Sequence, residues 1–155
     1  MPKPIKTFLL NVVLERAIKI EEDTYSYYGE QLRRAAGDGV RALLKAFMEE
    51  ALDHRMRLED MQKEGNLACI DLYREDYEPE KPGESGSKTA KEAEETDRKI
   101  LEAALEREKE TRDYYKWVES KTKLDIVRDA FSCFVHEEEE RIGKLEELLN
   151  TRFSA

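Results

Sequence analysis

The sequence predicts an all-α protein, a four-helix bundle made of two antiparallel helical hairpins that a long crossover joins. Apolar residues recur at spacings of three and four residues, the period of a helix, through stretches at 7–35, 38–64, 90–120 and 123–150. No segment alternates apolar and polar residues as a half-buried strand would. One domain over residues 1–155 is expected, because this length and a hydrophobic fraction of 39% suit a single core.

The breaks between the four stretches predict how the helices are connected. The first break, Ala36–Gly39, is so short that its two helices must be antiparallel neighbours, which gives a hairpin over 7–64. Ser120–Lys123 joins the last two helices in the same way, into a hairpin over 91–150. The segment 65–90 between them collects glycines, prolines, serines and threonines that cannot continue a helix, and we predict it to be the crossover.

Composition excludes several classes of function. With 27 Lys and Arg against 36 Asp and Glu, the net charge of −9 repels phosphate backbones, so nucleic acid is not expected as a partner. The longest nearly apolar stretch, Phe8–Leu14, is far shorter than the ~20 residues that span a bilayer, and no export signal is recognised. Cys69 and Cys133 stand alone, without a Cys-x-x-Cys pair, which favours a cytoplasmic protein without a disulfide framework.

The two predicted hairpins repeat each other at an offset of 87 residues. In the first and third helices, five residues at helical spacing meet identical residues at this offset: Leu14 and Leu101, Ala17 and Ala104, Glu21 and Glu108, Thr24 and Thr111, and Tyr28 and Tyr115. The same offset also places the turn of the first hairpin on the turn of the second. We interpret the halves as duplicated hairpins related by a pseudo-twofold axis.

The repeat places several polar residues on the helix faces that point to the bundle axis. Positions that alternate steps of three and four residues lie on one face of a helix, so these side chains should be inward. A buried carboxylate without a partner costs several kcal/mol, so cations, protons or donors must lie between the acidic ones. The inward polar residues are Glu21, His54, Glu108, Glu138 and Arg141.

Several of these residues occur in recognisable local motifs. Ala17–Glu21 is followed by Tyr28, seven residues after Glu21, and Ala104–Glu108 is followed by Tyr115 at the same distance. The stretches 47–58 and 134–145 are rich in Glu and His. On these motifs the chain resembles the ferritin-like di-iron carboxylate proteins, and most closely the rubrerythrins. The resemblance implies a ferritin-like four-helix bundle with one long crossover and a metal site on its axis.

The resemblance also implies the ligands of this metal site. Two positions depart from the pattern: Ala51 stands where the second helix should supply a bridging Glu, and Arg141 stands where the fourth helix should supply a His. One half of each Glu-x-x-His motif is therefore missing. The remaining ligands that the resemblance implies are Glu21, His54, Glu108 and Glu138.

Three hypotheses follow for the centre. Arg141 could take the place of the second ion by bridging Glu108 and Glu138, which leaves a metal-free, ion-paired core. Alternatively, one His and two carboxylates, contributed by His54, Glu21 and Glu138, could hold a single Fe²⁺, Mn²⁺ or Zn²⁺.

The third hypothesis is a rearranged site with two metal ions. It recruits Glu50, four residues before His54, and requires a rotation of the second helix, because Glu50 lies about 100° around the helix from Ala51. In the fourth helix the corresponding residue, Glu137, would pair with Arg141.

The resemblance implies a rubrerythrin-like metal-binding protein, with iron as the expected metal and an oxidoreductase function in iron or peroxide handling. Tyr28 and Tyr115 would be accessory residues near the metal. An external electron donor is expected, because no Cys-x-x-Cys pair provides a rubredoxin-like iron centre. A homodimer is expected as well, with Phe8, Leu9 and Val12 as candidate contacts. The alternative function is a metal-free scaffold or interaction protein.

Overall fold

A computed structural model describes residues 5–64 and 90–153 of the chain. In these ranges it consists of four α-helices and contains no strand: α1 (Ile5–Arg34), α2 (Asp38–Glu64), α3 (Ala90–Lys121) and α4 (Asp125–Arg152). The predicted ends of the helices differ from the observed ones by no more than two residues. The predicted crossover at 65–90 lies outside the described residues except for Ala90, which is the first residue of α3.

The helices pack as the two expected hairpins, α1 against α2 and α3 against α4. Contacts across the bundle show that α3 runs antiparallel to α1, because the later residue on α1 meets the earlier residue on α3. Tyr28 contacts Glu108, and Glu21 contacts Tyr115.

The same reasoning gives the relation between α2 and α4. Glu50 contacts Arg141 and His54 contacts Glu137, so these two helices are also antiparallel. It follows that α2 and α3 run in the same direction, and that α2 ends at the opposite end of the bundle from the beginning of α3. An up-down-up-down order, in which each helix begins where the previous one ends, is excluded by this geometry.

The bundle has two hydrophobic clusters. Between them lies a charged layer, which comprises the buried side chains of Glu21, His54, Glu108, Glu138 and Arg141. One cluster comprises Leu14, Ala17, Leu58, Met61, Tyr115, Val118, Val127, Ala130, Phe131, Phe134 and Val135. The other comprises Tyr28, Leu32, Ala35, Val40, Leu44, Phe47, Met48, Ile100, Leu101, Ala104 and Leu145. Although these clusters are apolar, none of the helices described here is long and apolar enough to cross a membrane.

The turn between α1 and α2 fixes the height of α3. Asp97, a buried residue of α3, accepts hydrogen bonds from the backbone N–H groups of Ala36 and Gly37, at 2.9 and 2.8 Å. Arg41 donates to the carbonyls of Leu32 and Ala35 and so satisfies the C-terminal end of α1. Because Asp97 is three helical turns before Glu108, this contact also sets the level of Glu108 relative to α1 and α2.

Candidate metal centre

The charged layer contains the five inward polar residues that the repeat predicts. All five are buried, with at most 1% of their surface exposed: Glu21, His54, Glu108, Glu138 and Arg141. Each helix contributes at least one of them, and they lie at one level because the pairs Glu21–Tyr115 and Tyr28–Glu108 hold α1 and α3 in register. The structure therefore brings together acidic side chains from three helices.

Three of these residues have the arrangement of a metal-binding site. Glu21, His54 and Glu138 each offer one ligand atom, and these atoms lie within 4.8 Å of one another. The Nδ1 atom of His54 is 3.1 Å from Oε1 of Glu21 and 3.9 Å from Oε1 of Glu138. The second oxygens of both carboxylates, Glu21 Oε2 and Glu138 Oε2, are buried without a hydrogen-bond partner. A cation among these atoms would satisfy them, so the donor set fits one metal ion.

Arg141 occupies the space on the other side of Glu138. Its Nη1 atom is 3.1 Å from Glu138 Oε1 and 3.5 Å from Glu108 Oε2, and its Nε atom donates to Glu50 Oε2 at 2.5 Å. The guanidinium thus lies among the carboxylates that a second ion would need. The residues present do not fit the second metal ion that the resemblance implies, and Glu50 is engaged by Arg141 in this arrangement.

The structure gives Glu137 other partners than the Arg141 that the third hypothesis assigned to it. Instead of Arg141, Glu137 contacts the Nε2 atom of His54 and accepts a hydrogen bond from Arg57 Nη1 at 3.1 Å. The physical reason is that α2 and α4 are antiparallel, so Glu137 on α4 faces the turn of α2 that carries His54 and Arg57. Arg141, one turn further along α4, faces Glu50.

The aromatic surroundings follow the pseudo-twofold relation. Phe134 packs against the imidazole of His54 with ring centres 4.9 Å apart, and Phe47 lies 5.7 Å from the guanidinium carbon of Arg141. The two phenylalanines are separated by the same 87 residues as the rest of the repeat. These rings close the charged layer towards the two hydrophobic clusters.

The two expected accessory tyrosines contact the carboxylates of the layer. Tyr115 donates a hydrogen bond to Glu21 and Tyr28 donates one to Glu108, both at 2.5 Å. Burial raises the pKa of each tyrosine well above its usual value, and the adjacent carboxylate adds to this effect. Both hydroxyls therefore remain protonated donors that hold the carboxylates in position.

Burial and neighbouring charges determine where protons lie in the centre. Burial raises the pKa of Glu138 well above its usual value against the attraction of Arg141, and the nearby carboxylate of Glu108 raises it further. Burial opposes the ionisation of Glu108, yet a hydrogen bond from Glu138 and the charge of Arg141 lower the pKa of Glu108. The two carboxyl groups therefore titrate as a pair, in which Glu138 holds a proton more readily than Glu108 does.

His54 is charged in the same environment. Burial disfavours the imidazolium, but Glu21 and the hydrogen bond to Glu137 raise the pKa of His54 above its ordinary value of 6.5. In turn His54 and Arg57, against the effect of burial, lower the pKa of Glu137 to about 2. The pKa values of His54 and Glu138, two of the three residues that could hold a metal ion, are thus both raised.

The sequence interpretation missed the groups that surround His54 on its outer side. Arg57 and Asp53 are nearly buried and form an ion pair on α2, next to Glu137. Their spacing of four residues, one helical turn, was the available signal, but such pairs are common on exposed helix faces.

Comparisons of the chain with protein-family models, with curated proteins and with solved structures found no match.

Proposed function

We propose that the protein binds one divalent transition metal ion, Fe²⁺, Mn²⁺ or Zn²⁺, between Glu21, His54 and Glu138. The observation that carries the proposal is the convergence of one imidazole and two carboxylates from three different helices, with ligand atoms within 4.8 Å of one another. Nitrogen and carboxylate oxygen ligands suit these three metals. The unpartnered oxygens of Glu21 and Glu138 provide further lone pairs for the ion.

The proposal is restricted to one ion because of Arg141. A guanidinium is permanently charged, and this one is within 3.5 Å of oxygens of both Glu108 and Glu138. A second cation in that space would be repelled by Arg141 and would have to displace it from three carboxylates. When bound, the single ion would supply Lewis-acid or one-electron redox chemistry.

For the wider function we propose a rubrerythrin-like, ferritin-like metal-binding protein that acts in iron or peroxide handling. Support comes from the helix directions, which agree with a bundle whose second and third helices are joined by a long crossover, and from the tyrosine–glutamate pairs on α1 and α3. A redox reaction of more than one electron would need an external electron donor, because the second metal position is filled by Arg141.

A second candidate function, a metal-free scaffold, is favoured by a specific feature of the same layer. His54 and Arg141 each contact carboxylates on two sides, so cations of the protein itself already face every acidic group of the layer. In that case the layer would serve to align the hairpins, and the protein would act through its surface.

Metal analysis separates the two functions. Protein purified without chelator, and again after addition of Fe²⁺, Mn²⁺ or Zn²⁺ and desalting, should retain close to one ion per chain. His54→Ala should abolish this retention. The chain has only two histidines, and His136, whose side chain is 75% exposed and pairs with Glu140, provides the matched control His136→Ala. An empty wild-type protein would support the scaffold, and retention by His54→Ala would disprove the proposed ligand set.

We further propose that the chain forms a homodimer. Among the expected contacts, Val12 is one of three exposed large hydrophobic residues in the described part of the chain, together with Trp117 and Leu124. The side chains of Phe8 and Leu9 lie outside the described residues. Light scattering of the purified protein, and of a Val12→Glu variant, would measure the oligomeric state.

A further inference from the structure

The two ring nitrogens of His54 face different surroundings. Nδ1 points into the centre, 3.1 Å from Glu21 Oε1, whereas Nε2 contacts Glu137 Oε2 on the opposite side of the ring. The imidazole itself is almost completely buried, and the side chain of Glu137 is 31% exposed. Glu137 therefore separates His54 from the solvent between α2 and α4.

Glu137 is itself held by a second ion pair. Arg57 donates from Nη1 to Oε1 of Glu137 at 3.1 Å, and from Nη2 to Asp53 at 2.5 Å. Arg57 and Asp53 are nearly buried, with side chains 10% and 9% exposed, and they are one turn apart on α2. Glu137 thus has one oxygen towards Arg57 and the other towards His54, which restricts its rotation.

We propose that Glu137, held by Arg57, is a positioning residue that makes His54 bind the metal ion through Nδ1. The inference rests on the function proposed above. A neutral imidazole carries one N–H, and the group that accepts from one nitrogen determines that the other nitrogen presents its lone pair. Because Glu137 accepts from Nε2, a neutral His54 that has released its second proton presents the lone pair of Nδ1 towards Glu21 and Glu138. The carboxylate also makes the imidazole a stronger ligand.

The other half of the repeat contains the same construction. Glu50, at the position that corresponds to Glu137, accepts from Nε of Arg141, and Nη1 of Arg141 then faces Glu108 and Glu138. In both halves a partly exposed carboxylate on one helix orients a nitrogen-bearing side chain on the opposite helix towards the centre. The contact between Glu137 and His54 therefore has a counterpart at the corresponding positions of the other hairpin.

The experiment measures Zn²⁺ binding to the full chain by competition with a chromophoric chelator. Glu137→Ala should weaken the affinity roughly ten- to hundredfold, as the loss of such an orienting carboxylate does at other metal sites. Glu137→Gln, which keeps an acceptor but loses the charge, should weaken it less. The matched control is Glu139→Ala, which removes an exposed carboxylate of α4 that contacts Lys116 and not the layer, and its affinity should be within twofold of wild type.

A second measurement distinguishes positioning from a general loss of structure. In Zn²⁺-loaded protein with ¹⁵N-labelled histidine, His54 should show a zinc-shifted Nδ1 and a slowly exchanging Nε2–H. Glu137→Ala should lose this slowly exchanging proton while circular dichroism shows an unchanged fold, and Arg57→Met should have the same effect to a smaller extent. If Glu137→Ala does not fold, the Zn²⁺ affinity of Glu137→Gln is compared with that of wild type, and a weaker affinity of the variant supports the role of Glu137.

The possible results separate this inference from the proposed function. Wild-type protein that binds none of Zn²⁺, Fe²⁺ and Mn²⁺ would overturn both, and if only Fe²⁺ or Mn²⁺ binds, the affinities of the variants are compared with that ion. Wild-type binding together with unchanged affinity in folded Glu137→Ala and Glu137→Gln, or coordination through Nε2, would overturn only the role of Glu137.

Discussion

The Nη1 atom of Arg141 lies 3.1 Å from Oε1 of Glu138, one helical turn earlier on the same helix. A fully buried guanidinium therefore shares this carboxylate with His54, whose Nδ1 atom is 3.9 Å from the same oxygen. Glu138 lies between a permanent cation and an imidazole, and for this reason the function proposed above is restricted to one metal ion.

Restoring the two missing ligands should restore a second metal position. In the double variant Ala51→Glu and Arg141→His, the guanidinium is replaced by an imidazole and α2 gains a bridging carboxylate, so two ions per chain are expected where wild type retains one. Isothermal titration with Zn²⁺ and metal analysis give the stoichiometry, with each single variant as a control. A folded double variant that still binds one ion would contradict the geometry inferred for the centre.

Metal affinity should rise with pH. Burial raises the pKa of Glu138, and for His54 the combined effects of Glu21 and Glu137 outweigh burial and Arg141 and raise the pKa too. Both groups therefore take up protons at a higher pH than they ordinarily would. Binding must displace these protons, so the affinity falls as the pH falls, by up to about tenfold per pH unit for each proton displaced.

Titrations with Zn²⁺ between about pH 6 and about pH 7.5, in two buffers of different ionisation enthalpy, would count the protons that are released. We expect protons to be released when the ion binds. An affinity that does not change over this interval would show that Glu138 and His54 are already deprotonated, or that they do not bind the ion.

Removing the guanidinium should strongly destabilise the metal-free protein. Arg141→Met leaves the buried carboxylates of Glu108 and Glu138 without their cation, and breaking a buried ion pair in this way costs about 3–5 kcal/mol of the free energy of unfolding. Urea denaturation measures the change. Arg128→Met, which removes an exposed partner of Asp125 on the same helix, should change the free energy by less than about 0.5 kcal/mol.

Zn²⁺ provides a further test of the same variant. Because the ion brings positive charge to the layer, saturating Zn²⁺ should recover part of the stability that Arg141→Met loses. A loss of less than about 1 kcal/mol in the metal-free variant would mean that the carboxylates do not depend on Arg141.

Asp97→Asn should loosen the link between α3 and the turn of the first hairpin. The carboxylate accepts from Ala36 and Gly37, and an amide has only one acceptor oxygen, so one backbone N–H of this turn would lose its partner at a cost of about 1 kcal/mol. Denaturation should show this loss, and hydrogen exchange at Gly37 should accelerate. Asp113→Asn, at an exposed position of α3, should leave both quantities unchanged.

The number, extent and inward faces of the helices were predictable from the sequence. Helical periodicity, turn residues and steric limits on proline and glycine act over a few residues, so they are readable without knowledge of the fold. The offset of 87 residues also placed Glu21 opposite Glu108 in the repeat, and both are buried in the structure. Thr111 and Leu148 are half-buried, whereas Thr24 and Met61, which precede them by 87 residues, are buried. The repeat is therefore not perfectly symmetric.

The partners of the charged groups were decided by the tertiary structure. From the sequence, Glu137 was as compatible with Arg141, four residues away on the same helix, as with a residue on another helix. Only the antiparallel packing of α2 against α4 brings it to His54 and Arg57, and leaves Arg141 to Glu50. Local periodicity determines which face a side chain occupies, but charge pairing between hairpins depends on the relative height and direction of helices that are far apart in the chain.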